Sequence, residues 1–309
     1  MNSIRMHVKN SVHFITNRCE QEMFLLRPAA EVNRLILFWL AKAMFKYGDG
    51  IELYAFIFMS NHFHLLLKDT KGQLAQFMCY FQGNVAKSLN RHHKRRGRFW
   101  FREYDDIIVS GEEEFFNRYA YTVGNPVKSG LVASAAMWRG VSSYSYTVKN
   151  RPVEVTGINT TAYHEALRYN READPEDFKE SYTFKLTHPP AWRCWSNEKR
   201  AQVLNGLLKG AAAKYRKDRN YKKPLGIKKV MKQNPFDSPR KPARSPRFKF
   251  FCFDKERLAE LQEAYQLHVM HYRSCMQILF DSGNNLRRAA QIKWPDWSYP
   301  PTARCPAGF

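Results

Sequence analysis

Four short apolar runs, residues 11–16 (SVHFIT), 53–58 (LYAFIF), 62–67 (HFHLLL) and 105–109 (DDIIV), alternate with longer stretches whose apolar residues recur at helical spacing. Runs this short, dominated by branched and aromatic side chains, favour strands. In the first run, Val12, Phe14 and Thr16 fall on one face, with His13 and Ile15 on the other. Met59-Ser60-Asn61 separates the second and third runs by a tight turn, so these two should pair as a hairpin. Residues 30–45 place Leu35, Phe38, Trp39, Met44 and Phe45 on one helical stripe. Residues 73–92 do the same with Leu74, Phe77, Met78, Phe81, Val85, Ala86 and Leu89. Residues 112–123 form a third helix. Its three opening glutamates suit the positive end of the helix dipole, and Pro126 is expected to end it. The order βαββαβα predicts an α+β fold, a small, mostly antiparallel sheet covered by helices.

Beyond residue 150 the periodicity weakens. Residues 151–190 are turn-rich, and residues 196–216 read as a helix capped by Ser196 or Asn197. Residues 214–249 are basic and proline-interrupted, the composition of a linker. Residues 254–279 form an amphipathic helix, and the aromatic, proline-rich residues 294–301 are expected to dock on something. The expected organisation is a domain over residues 1–150 followed by a basic, mainly helical extension over residues 151–309.

With 44% hydrophobic and 15% aromatic residues, the chain can bury a real core, so wholesale disorder is not expected. A net charge of +22 then calls for a polyanionic partner, with nucleic acid ahead of a membrane surface. No secretory leader or membrane-spanning run is visible, so a cytoplasmic, nucleoid-associated protein with no membrane partner is expected. The six scattered cysteines contain no CxxC pair, which favours reduced thiols over a zinc ribbon.

Three constellations could carry chemistry. His62-Phe63-His64 on a strand projects two imidazoles side by side, and two neutral imidazoles can ligate a divalent metal. Spacing alone also fits two partly exposed strand histidines. Tyr121 and Asn125 lie one helical turn apart, so a phenol and an amide oxygen share a face. Tyr119 points elsewhere. Arg91-His92-His93-Lys94-Arg95-Arg96-Gly97-Arg98, followed by Phe99-Trp100-Phe101-Arg102, combines phosphate-neutralising charge with rings that can stack on unpaired bases. Arg91, His93, Lys94, Arg95, Arg96, Arg98, Trp100 and Arg102 are the candidate DNA contacts.

Taken together, Met59-Ser60-Asn61-His62-Phe63-His64-Leu65-Leu66-Leu67 and Tyr121-x-x-x-Asn125-Pro126-Val127-Lys128-Ser129-Gly130-Leu131-Val132 resemble the single-tyrosine HUH transposases, most closely the REP-associated branch. Thr16-Asn17-Arg18, Trp138 and Ser142-Ser143-Tyr144 fit the same pattern. The resemblance covers about residues 5 to 150 and implies a ferredoxin-like HUH nuclease domain. It also implies Mg²⁺ or Mn²⁺ held by His62, His64 and Asn125, and Tyr121 as the nucleophile that forms a 5′-phosphotyrosine. Relatives often carry glutamine at the position of Asn125. The implied partners are single-stranded DNA and REP-like DNA hairpins, bound by a monomer rather than a dimer. A domesticated, non-mobile hairpin-binding protein on the same fold is the alternative.

Overall fold

The computed structural model describes residues 4–6, 8, 10–220, 222–239, 249–281 and 291–295. Its first half follows the predicted order: β1 (Val12–Arg18), α1 (Ala30–Tyr47), β2 (Ile51–Phe58), β3 (His62–Asp69), α2 (Leu74–His92), β4 (Asp105–Val109) and α3 (Glu112–Lys128). Four of these strands form an antiparallel sheet in the order β2-β3-β1-β4. The predicted β2–β3 hairpin is present, with the Met59 amide donating to the His62 carbonyl across the turn.

The two faces of β1 separate as its alternation requires. Ile15 joins Leu65, Leu67, Trp39, Phe77 and Phe81 under α1 and α2. Phe14 joins Leu66, Ile107, Phe115 and Val123 under α3. The outer edge of β2 is closed by residues following α3. Ser143 exchanges hydrogen bonds with the Phe56 backbone, and the Trp138 indole donates to the Phe58 carbonyl. Covering an edge in this way removes a template for unwanted strand pairing.

The chain then adds α4 (Tyr144–Val148), a hairpin of β5 (Val153–Ile158) and β6 (Lys179–Phe184), and α5 (Thr160–Ala166) between those two strands. The hairpin packs on α1 through Phe38 and Tyr182. Helix α6 (Asn197–Asp218), capped by the Ser196 hydroxyl as predicted, lies against α3. A short α7 (Ile227–Met231) follows, then β7 (Phe250–Phe251), which pairs parallel to β4 and becomes the fifth strand of the sheet. Helix α8 (Lys255–Asp281) completes the described elements, and the Asp254 carboxylate accepts from the Glu256 and Arg257 amides at its start.

Three expectations need correction. Pro126 does not end α3, which runs on to Lys128. Proline removes only the N–H that would reach Thr122, and less than one turn follows it. Val127 is meanwhile buried with Ile57, Val132, Trp138 and Val230, and that packing outweighs the lost bond. The linker expected over 214–249 is only partly a linker. Its first residues belong to α6, and α7 buries Val230 while the Leu225 and Gly226 amides donate to the Gly130 and Leu131 carbonyls. Residues 221 and 240–248 of that stretch lie outside the described residues. Cysteines 19, 194, 252 and 275 are free, but Cys79 is disulfide-bonded, against the expectation of uniformly reduced thiols. Of the aromatic C-terminal segment, Trp294 packs on Tyr272, and residues 296–301 lie outside the described residues.

The turn from β3 into α2 is organised by one buried carboxylate. Asp69 accepts from the amides of Lys71, Gly72, Gln73 and Leu74 at 2.7–3.2 Å. Hydrogen bonds to a charged acceptor contribute about 1.5–3 kcal/mol, and buried amides left unpaired cost about 1–3 kcal/mol each. Asp69→Ala is therefore expected to lower unfolding free energy by roughly 3 kcal/mol or more in denaturant titrations, with Asp69→Asn intermediate. An unchanged midpoint would show that the cap does not hold this corner.

On the α1–α2 side of the sheet, His13 is fully buried with its Nδ1 2.9 Å from Asp106. Burial pushes the His13 pKa down, but the Asp106 charge and hydrogen bond outweigh it, and the net shift is upward. A raised folded pKa gives stability that is fully present below the ordinary histidine value and is lost as pH rises through the raised value. Unfolding midpoints should therefore fall as pH rises above the ordinary histidine value, and His13→Gln should flatten that fall.

Candidate active site

β3 starts at His62, directly after the turn, and the β1 register sets Thr16 opposite His64 and Arg18 opposite His62. Strand alternation turns both imidazoles toward α3, onto the face that carries Phe14. The His64 ring stacks on Phe14 at 4.9 Å, and the His62 ring lies 5.0 Å from it. Helix α3 crosses above, with the Tyr121 ring 5.4 Å from His64 and 5.7 Å from Phe14. One turn further, the buried Asn125 side chain lies beside His62 and accepts from the Ser129 hydroxyl at 3.2 Å. The structure thus brings together His62, His64, Tyr121 and Asn125 from two elements far apart in sequence.

Burial, reinforced by the Arg18 charge, lowers the His62 pKa to about 4. Burial, reinforced by the other cations nearby and by His62, holds His64 well below the ordinary histidine value. Both rings are therefore neutral at physiological pH, the form that offers a lone pair to a metal. His62 Nδ1 is engaged by Asn61 Oδ1 at 2.8 Å, a second contact that fixes the ring. His64 differs, because both its ring nitrogens are buried without a hydrogen-bond partner. A buried polar atom left unmatched is costly. A neutral imidazole offers one lone pair, so one His64 nitrogen, beside a second neutral imidazole and an amide oxygen, makes a donor set that would fit a divalent cation. Among the described residues no group of three His, Cys, Asp or Glu side chains is placed to hold a metal ion.

Tyr119 is placed differently from Tyr121. Its ring is buried against Trp192, its hydroxyl donates to Thr147, and burial raises its pKa to about 12. Tyr121, by contrast, is partly exposed and flanked by cations. Lys128 Nζ sits 4.2 Å from its ring centroid, and the Arg118 guanidinium 5.6 Å from it. Sequence reading missed both. Extending the Tyr121–Asn125 helical face by a turn in each direction reaches Arg118 and Lys128, so periodicity held the signal.

The expected DNA contacts divide. Lys94, Arg96 and Arg98 are exposed at the end of α2. Arg91 lines a cleft of about 460 Å³ with Lys87, His164 and Arg168, opened by α5. His93 is turned inward, its Nε2 donating to the Leu25 carbonyl at 2.8 Å, and Arg95 donates to Asn90. Trp100 is half-buried against Phe63 with its indole N–H on the Gln82 carbonyl. The neighbouring Phe101 is the exposed ring. Arg102 pairs with Asp105. The Phe101 amide donates to the Arg18 carbonyl, which leads this basic segment past the end of β1 beside His62.

Among solved structures the chain is similar to transposases. One is a REP-associated tyrosine transposase bound to a REP hairpin, at 15% identity and a TM-score of 0.40, covering 48% of this chain and 86% of that one. Another is a candidate transposase of Deinococcus radiodurans R1, at 18% identity and a TM-score of 0.29, covering 40% of this chain and 97% of that one. No protein-family model matches the chain, and no curated protein does. Among the described residues no helix is long and apolar enough to cross a membrane.

Proposed function

We propose that this chain is a metal-dependent single-strand DNA endonuclease and strand transferase of the transposase type, with Tyr121 as nucleophile. The observation that carries the reading is the His64 ring, with both nitrogens buried and unmatched, facing Tyr121 at 5.4 Å. His62, His64 and Asn125 would hold Mg²⁺ or Mn²⁺, which when bound polarises a phosphate oxygen and fixes the phosphate in place. Tyr121 attacks phosphorus through its phenolic oxygen, losing its proton. The P–O3′ bond breaks, the 3′ oxygen takes up a proton, and the 5′ phosphate stays on the tyrosine. The bond energy is kept in the phosphotyrosine, so a second 3′-hydroxyl can attack it and join strands without a further energy source. Lys128 and Arg118 place positive charge where negative charge builds up in the transition state. The net charge of +22 and the exposed Lys94, Arg96 and Arg98 support a DNA strand as the substrate, and the motif resemblance favours a strand beside a hairpin.

The test is incubation with 5′-labelled or 3′-labelled single-stranded hairpin DNA and Mn²⁺, read on a denaturing gel. A protease-sensitive, shifted band carrying only the 3′ label is expected. Cleaved DNA with no adduct would replace the tyrosine mechanism with water attack. Tight binding without cleavage would leave a hairpin-binding protein.

A further inference from the structure

We propose that Arg118 binds a backbone phosphate of the DNA strand beside Tyr121, and that Phe251, from the C-terminal part of the chain, holds the guanidinium in place for it. This deepens the reading of the same site and rests on it.

Arg118 lies one turn before Tyr121 on α3. Its guanidinium sits in a box of three rings, with its carbon 3.7 Å from the Phe251 centroid, 5.0 Å from Phe14 and 5.6 Å from Tyr121. Among the described residues it forms no ion pair, and its Nε is buried without a hydrogen-bond partner. Taking a charge out of water without a counter-charge is costly, and aromatic faces compensate only part of that cost. Burial accordingly pulls the Arg118 pKa below the ordinary arginine value. An unpaired, planar, half-buried donor fork that faces a nucleophile matches a phosphodiester, which offers two oxygens at the matching spacing.

Phe251 reaches this place through tertiary contacts. β7 pairs with β4, with Phe251 level with Val109, and the Ser110 amide donates to the Phe251 carbonyl at 3.0 Å. Two residues on, the Phe253 amide donates to the buried Glu114 carboxylate in the first turn of α3. The same helix that carries Arg118 and Tyr121 thus anchors the strand that covers Arg118. Tyr215 of α6 packs on the same helix, with its ring carbon 3.6 Å from where a side chain at Gly124 would begin.

The experiment is a scan of hairpin oligonucleotides in which one phosphodiester at a time is replaced by a neutral methylphosphonate. Affinity for the full chain is read by fluorescence anisotropy. In the unsubstituted protein several linkages should each cost about fivefold or more. In Arg118→Gln the sensitivity of one linkage should vanish while the others persist, and the slope of log K against log salt should fall by about 0.7, one phosphate contact on a single strand. Arg118→Lys should keep the same linkage at reduced strength. Phe251→Leu should weaken that linkage alone, with Phe251→Tyr restoring it. An Arg118→Gln protein, folded by circular dichroism, that keeps every linkage sensitivity and the full salt slope would overturn the proposal. If Gln does not fold, an Arg118→Lys pattern identical to the unsubstituted one would do the same. Because the scan reads binding, its outcome is separate from the adduct test, whose failure would remove the tyrosine mechanism while leaving the anion site to be judged by the scan.

Discussion

Tyr121→Phe should lower strand cleavage by about 10⁴-fold or more, with no covalent protein–DNA band, while DNA binding stays within a fewfold of the unsubstituted chain. The substitution deletes one oxygen and keeps the ring that packs on Phe14 and His64 and neighbours Lys128 and Arg118. Stability and the cationic surface are therefore retained. Gel analysis of the adduct and an anisotropy titration check both halves. Cleavage by the Phe variant at the normal rate would remove Tyr121 from the mechanism. Tyr119 could not replace it without unfolding the contact with Trp192, so attack by water would be the reading left.

His64→Leu separates a metal ligand from a core residue. The replacement is apolar and of similar volume, and it removes two buried nitrogens that have no partner. Unfolding stability should hold or rise by about 1 kcal/mol, an unusual result for a buried substitution. Mn²⁺ binding, followed by calorimetry or by the electron spin signal of free Mn²⁺, should be lost. Cleavage should fall by about 10³-fold or more, comparable to removing an electrostatic contact group in other enzymes. Chelation of the unsubstituted protein should have the same effect on cleavage and be reversed by added Mn²⁺. Full cleavage by His64→Leu would mean that His64 only fills space between Phe14 and Tyr121.

Much of the first half was readable from local pattern. Strands 11–16 and 62–67 carry a period of two, and their alternation already assigned Phe14 and Ile15 to opposite faces, as found. The His62/His64 pair and the Tyr121/Asn125 pair each share a face for the same reason, because strand and helix periods are set by the backbone. Pattern gave way where neighbours distant in sequence decide. Pro126 reads as a stop, yet Val127 finds a pocket made by residues of β2, the segment after α3, and α7, and the helix continues. Residues 99–102 read as a stacking platform, yet Phe99 and Trp100 are drawn into the sheet and Phe101 is left outside.

By itself, then, the sequence determined the βαββαβα order, the faces of its strands, and the two pairs of side chains proposed to ligate and attack. The tertiary structure alone decided that these pairs meet, since a strand and a helix bearing them are joined only through the packing of α3 on the Phe14 face. It also decided that a two-residue strand at Phe250–Phe251, too short to have any period, closes over Arg118. Such a strand is specified by the unpaired edge of β4 and by the Glu114 carboxylate that receives it, and neither lies near it in the chain.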